Sequence, residues 1–314
     1  MTGYNIYRPE GLLLDSPGNK AAQQSIQALQ EAMAARRILE GRTLVCDSGH
    51  NLVVQLGCCR GIIPRSETVL GIDEDAGVRD IAIISRVNKP VCFFVTGFTK
   101  SADGSAMALL SRRAVQEECK REFVSKMRPG DIIDARVTHM ESFGCFVDIG
   151  CGLTSLIPID TISISRISHP RDRFRPGQLI KAVVKSIDEL ERITLSHKEL
   201  LGTWEENAAA FSPGETVAGI IRSVEHYGVF VELTPNLAGL AEIREDVCPG
   251  QHASVYIKNL ISDKMKIKLI IIDSFEAAYI PPEPVYYIKE GHLPFWRYSP
   301  DSSDRVIETV FDLT

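Results

Sequence analysis

The stretch "RPGDIIDARVTHMESFGCFVDIGCGLTSLIPI", residues 128–159, returns in altered form as "SPGETVAGIIRSVEHYGVFVELTPNLAGLAEI", residues 212–243. Both carry a Pro-Gly turn, an alternating strand, an aromatic-Gly-x-Phe-Val element, a second turn and a third short strand. A fainter copy, "LEGRTLVCDSGHNLVVQLGCCRGIIPRSE" (39–67), keeps the rhythm and has lost the aromatics. Each copy closes with an alternating stretch: "AMALLSRR" (106–113), "RITLSHK" (192–198) and "KIKLIII" (266–272). About five short strands within roughly 65 to 80 residues have the size of a small closed barrel of the OB type. The fold class is therefore all-β: three tandem five-stranded barrels with short connecting helices, a helical N-terminal arm and an irregular C-terminal tail.

The spacing of Phe143 and Phe146 around Gly144 is unusual, because residues three apart on a regular strand point to opposite faces. Strand phase puts Phe146 with Asp148 on the polar side and buries Val147 and Ile149; likewise it puts Phe230 with Glu232 and buries Val229, Val231 and Leu233. Gly144 and Gly228 would permit a bulge or bend that brings Phe143 and Tyr227 round to the same polar face. Two such rings side by side make a platform on which unpaired bases can stack, worth roughly 1–3 kcal/mol per base. Arg192 and Lys266 alternate against buried neighbours, so both face solvent where a phosphate could pass. Either ring could instead cap a barrel end.

At these residues the chain resembles tandem S1 RNA-binding domains, as in the bacterial 30S ribosomal protein S1 family. The resemblance covers roughly 37–274, and "LSHKELLGTWEENAAAFSPGETVAGIIRSVEHYGVFVEL" (195–233) follows that family's way of joining one repeat to the next. The family's nucleic-acid surface uses two aromatics, a histidine, an aspartate and an arginine. In the middle repeat the resemblance implies Phe143, Phe146, Asp188 and Arg192, with Pro158 at the histidine position. In the last repeat it implies Tyr227, Phe230 and Lys266, with Glu242 and Ser262 at the histidine and aspartate positions. The first repeat has His50, Val53, Pro64, Asp103 and Met107, so it is not expected to bind RNA by itself. Arg171, Arg173 and Arg175 in "SHPRDRFRPGQ" are either a solvated loop or phosphate contacts flanking the platform.

The resulting domain plan is an arm (1–36), a degenerate S1-like barrel (37–115), a connector (116–126), an S1 barrel (127–200), a helical connector (201–210), a second S1 barrel (211–274) and an aromatic, acidic tail (275–314). "AAQQSIQALQEAMAARRILEG" (21–41) has apolar positions at helical spacing and predicts a helix ending at Gly41. "TWEENAAAF" predicts a stiff helical spacer with Trp204 and Phe211 wedged at its ends. The tail's Tyr286, Tyr287, Phe295, Trp296 and Tyr298 are expected to pack it onto the last barrel.

Charge weakens the case for a polyanionic partner less than the net value of −6 suggests. The three repeats come close to balance, and the tail holds 3 basic against 7 acidic residues. A nucleic-acid site would then be a local patch with little long-range steering. The eight cysteines form no CxxC pair and no zinc spacing with histidine, and are expected reduced. The start of the chain has no signal-peptide pattern and no apolar run approaches a membrane span, so a cytoplasmic location is expected, with no membrane partner. No phosphate-binding, metalloprotease or serine-hydrolase motif occurs, so no catalytic residue, metal, cofactor or small-molecule substrate is expected. The expected partner is single-stranded RNA, mRNA in particular, held with low sequence specificity. The resemblance adds the small ribosomal subunit and a role in translation. The competing reading is a protein-interaction scaffold, or an RNA-turnover or regulatory accessory, whose RNA binding has decayed.

Overall fold

A computed structural model describes residues 6–71, 80–101 and 104–312. Asp103, assigned above to the first repeat, lies outside them. The first barrel consists of β1 (Leu39–Cys46), β2 (Leu52–Gln55), β3 (Arg60–Ile63), β4 (Pro90–Lys100) and β5 (Ala106–Ser111). The second consists of β6 (Ile132–Glu141), β7 (Gly144–Gly150), β8 (Leu153–Pro158), β9 (Leu179–Ile187) and β10 (Ile193–Ser196). The third consists of β11 (Thr216–Glu225), β12 (Gly228–Thr234), β13 (Leu237–Ala241), β14 (His252–Ile261) and β15 (Lys266–Phe275). All three are closed, and each closes the same way, with its third strand lying parallel to its fifth. Closure leaves few unpaired strand edges, and alternate residues fill the interior. Val137, Cys145, Val147, Ile157, Val184 and Leu195 are all buried in the second barrel, and Ile221, Val229, Val231, Val255, Ile257 and Leu269 in the third.

The chain divides into two compact units, one running to Met127 and including Asp148–Thr154, the other made of Arg128–Val147 and everything from Ser155 onward. In the first unit the arm forms two short helices, Pro17–Ala21 and Ile26–Ala34, in place of the single helix to Gly41. Ser25 starts the second by accepting a hydrogen bond from the Ala28 N–H. Leu39–Gly41 belong to β1 and pair with Val91–Phe93. A helix also follows β5, at Arg113–Glu122, overlapping the expected connector.

This unit contains a buried ionic cluster. The Arg112 guanidinium donates to both oxygens of Glu10, at 2.6 and 3.0 Å. Burial alone would raise the Glu10 carboxyl, but Arg112 outweighs it and holds the group below the usual carboxylate range. Asp148 accepts from the N–H groups of Glu10, Gly150 and Gly152, yet burial pushes it up to about 7. Strand phase alone had placed Asp148 in solvent; segments packed over the outer face cover it.

In the second unit the connector is a helix, Trp204–Ala208, started by a reciprocal cap between Thr203 and Glu206. It does not hold the two barrels alone. The Asn236 side chain accepts from the Ile164 N–H and donates to the carbonyls of Lys198 and Gly202. The tail also does more than cover the last barrel. Trp296 and Tyr298 enter that barrel's core, while the Tyr286 hydroxyl accepts from the Lys181 N–H and meets His197, both on the middle barrel's side. His292 lies between Asp131 and Asp312, and those two carboxylates raise its pKa. Tyr286, Trp296 and Tyr298 are therefore shared between both barrels, while Tyr287 and Phe295, expected to pack as well, stay largely exposed.

His197 is fully enclosed. Its Nδ1 must carry the proton, since its partner at 2.9 Å is the Ile162 carbonyl, leaving Nε2 to accept from Tyr286 at 3.2 Å. Burial pushes its pKa down to about 4. The unfolded chain takes up this proton near pH 6.5 and the folded chain only near 4, so stability present above pH 6.5 is lost as pH falls through that window, by up to roughly 3 kcal/mol. Urea melts at pH 7 and pH 5 should therefore show the wild type losing stability with acid, and His197→Gln losing much less. Equal losses in the two proteins would assign the acid sensitivity elsewhere.

Candidate nucleic-acid interface

Phe143 and Tyr227 are not strand residues. β6 ends at Glu141 and β7 begins at Gly144, while Glu225 pairs directly with Gly228, so each ring sits in a two-residue hairpin turn. The turn projects the ring outward, and the spacing of three stops being a conflict. The register shift in the last barrel lies at Ile221/Ser223 in the partner strand, not at the glycine. The glycines have a different task. A Cβ at Gly144 would lie 2.6 Å from the Ile157 carbonyl oxygen, and one at Gly228 would lie 2.5 Å from that of Ala241. Only glycine allows the neighbouring strand so close.

The two platforms have one geometry. The Phe143 and Phe146 ring centroids are 5.9 Å apart at 89°, and those of Tyr227 and Phe230 are 6.0 Å apart at 89°. The turn rings are 55% and 57% exposed; Phe146 and Phe230 are half-buried. Each edge-to-face pair leaves two perpendicular faces for planar ligands.

Asp188 and Arg192 pin the β9–β10 hairpin. The Asp188 carboxylate accepts from the Leu190 and Arg192 N–H groups and from Arg192 Nε at 2.7 Å, and these bonds hold its pKa below the usual range. The guanidinium itself remains well exposed. Lys266 is exposed on β15. Register brings a second lysine closer to the last platform: Phe230 pairs with Leu240, and Leu240 with Lys268, so Lys268 shares a row with the ring. Alternation from Lys266 could have singled it out. The corresponding row of the first barrel is Val53, Ile62 and Leu109, with no ring and no charge.

The arginine loop divides. Arg171 is exposed. Arg173 is 5% exposed and donates to Glu232 Oε2 at 2.6 Å and to Ser163. Arg222 donates to both oxygens of the same carboxylate, at 2.8 and 3.1 Å. Glu232 is thus a buried anion between two arginines, not a solvent-facing neighbour of Phe230, and Arg173 is not available to a phosphate. The cause is docking: the 163–173 loop of the middle barrel closes over the outer face of β12. Two rings escaped the sequence reading altogether. His139 lies 6.3 Å from Phe146 at 22°, and His226 lies 4.9 Å from Tyr227 at 89°.

Residues 126–198 match the S1 RNA binding domain family. The small ribosomal subunit protein bS1 of Staphylococcus aureus is 30% identical over 280 residues, covering 84% of this chain and 67% of that protein. A bS1 homolog from Bacillus subtilis is 30% identical over 230 residues, covering 71% of this chain and 57% of that protein. Among solved structures, a multidomain protein with nucleic acid binding domains from Streptococcus pneumoniae is 15% identical, covering 77% of this chain and 76% of that chain with a TM-score of 0.25. No helix among the described residues is long and apolar enough to cross a membrane. With three closed five-stranded barrels and this identity over most of its length, the chain belongs to the family of the bacterial small ribosomal subunit protein bS1.

Proposed function

We propose that the chain binds single-stranded RNA, mRNA among its targets, with low sequence specificity and in connection with translation at the small ribosomal subunit. The supporting observation is the repeated ring pair, Phe143 with Phe146 and Tyr227 with Phe230, at the same separation and angle on two barrels. Stacking accepts any base, since every base has a π-face, and Arg192, Lys266, Lys268 and Arg171 offer phosphate contacts nearby. The bS1 name of the relatives supports the link to translation. Nothing in this binding requires a catalytic group, a metal or a cofactor. The uncharged, ring-free row Val53–Ile62–Leu109 favours a protein-contact role for the first barrel beside the RNA role of the other two.

The joint built on Glu232 and Asn236 holds the two platforms as parts of one body. A strand long enough to span both should therefore bind through a high effective concentration at the second site. Titrating the whole chain at moderate salt with labelled single strands, short enough for one platform or long enough for both, should give at least about tenfold tighter binding for the longer strand. Equal affinity for both lengths would remove the two-platform reading, and no measurable binding of either would favour the scaffold.

A further inference from the structure

The middle platform carries a third ring that the repeat pattern does not supply. His139 lies on β6, its side chain 65% exposed, and its ring is within 22° of parallel to Phe146 at a centroid distance of 6.3 Å. Its Nε2 meets Glu141 Oε1 at 2.5 Å, which ties down one edge of the ring and leaves its π-faces unengaged by that bond. A ring so exposed adds little burial to the fold. The corresponding position of the last barrel is Ser223, which pairs with Phe230, so that barrel has no ring there. Its extra ring, His226, stands in the hairpin turn and meets Tyr227 edge-on.

Orientation separates the two arrangements. Consecutive bases of a stacked strand lie parallel, so two nearly parallel rings can take neighbouring bases without turning the strand. Phe143 stands at 89° to Phe146 and can only take a base turned away from that stack. We propose that His139 is a third RNA-stacking residue of the middle barrel, taking the nucleobase next to the one on Phe146. This rests on the single-strand reading above and extends it, making the middle barrel's site one base longer in the direction of β6 than the last barrel's.

The test uses the whole chain and a labelled single-stranded RNA, read by fluorescence anisotropy, with a thermal melt of each variant. His139→Ala and His139→Gln should each weaken binding about fivefold to tenfold at unchanged melting temperature, and His139→Phe should bind as the wild type does. Wild-type affinity for the Ala variant overturns the proposal, as does a Phe variant as weak as Ala, because a hydrogen bond and not stacking would then be at work. Phe143→Ala with Phe146→Ala serves as the reference. If that pair is weak while His139→Ala binds normally, only the third ring falls; if the pair also binds normally, the single-strand reading itself has failed.

Discussion

Phe143→Ala combined with Phe146→Ala is expected to weaken single-stranded RNA binding by about 2–4 kcal/mol, roughly 30-fold to several-hundred-fold, while leaving the fold close to intact. Each ring offers a face for a base, and removing both leaves the middle barrel only Arg192, Arg171 and the face of His139 as contacts. The stability cost should be small for a physical reason. Phe143 projects from a turn and is more than half exposed, and Phe146 is only half-buried on the outside of β7, so neither fills the barrel interior, which belongs to Cys145, Val147 and their neighbours. Anisotropy titration with a melt on the same samples separates the outcomes. Unchanged affinity would mean the rings are not the site. A collapse of the melting temperature would mean they are core.

Glu232→Ala should be a severely damaging exchange in the second unit, costing about 3–5 kcal/mol. Glu232 is 5% exposed, and the same carboxylate neutralises Arg173 and Arg222, which are themselves largely buried. Removing it leaves two guanidinium groups enclosed without their main counter-ion, and burial makes that far costlier than losing a surface pair. Burial also adds a functional effect. Arg173 comes from the middle barrel and Glu232 from the last, so this exchange loosens the joint, and the advantage of a long RNA over a short one should shrink even in molecules that remain folded. Urea unfolding checks the first effect, and the ratio of long-strand to short-strand affinity checks the second. A loss below about 1 kcal/mol would mean that solvent reaches the arginines and the pair behaves as a surface one.

The barrels and the turn-and-ring element were legible because both are local. Alternation with period two marks which side chains enter a barrel, and the repeated Pro-Gly and aromatic-Gly-x-Phe-Val signals mark where strands begin and turn. The same local rules located Phe143, Phe146, Tyr227 and Phe230, and the connector helix at Trp204–Ala208, though not the Thr203–Glu206 cap that starts it. They erred over the arm, where helical composition continued past Ala34 but Leu39–Gly41 were taken into β1 by pairing with β4. Propensity is a weak preference that strand pairing overrides.

Period two says which face of a strand a residue is on, but not whether that face meets solvent. By itself the sequence determined three closed barrels, two of them carrying paired rings on the outside and one without. Tertiary structure alone decided which charged groups remain for a ligand. Asp148 and Glu232 share strand phase with Phe146 and Phe230, yet both acids are buried, because other segments close over those outer faces. Arg173 is consumed by a carboxylate 59 residues away. The tail reaches both barrels of its unit through contacts of the same long-range kind, whereas His139 meets Phe146 across a single hairpin. The physical reason is that enclosing a charge is costly unless a partner meets it, and that partner is supplied by docking between distant segments, which leaves no periodic trace in the sequence.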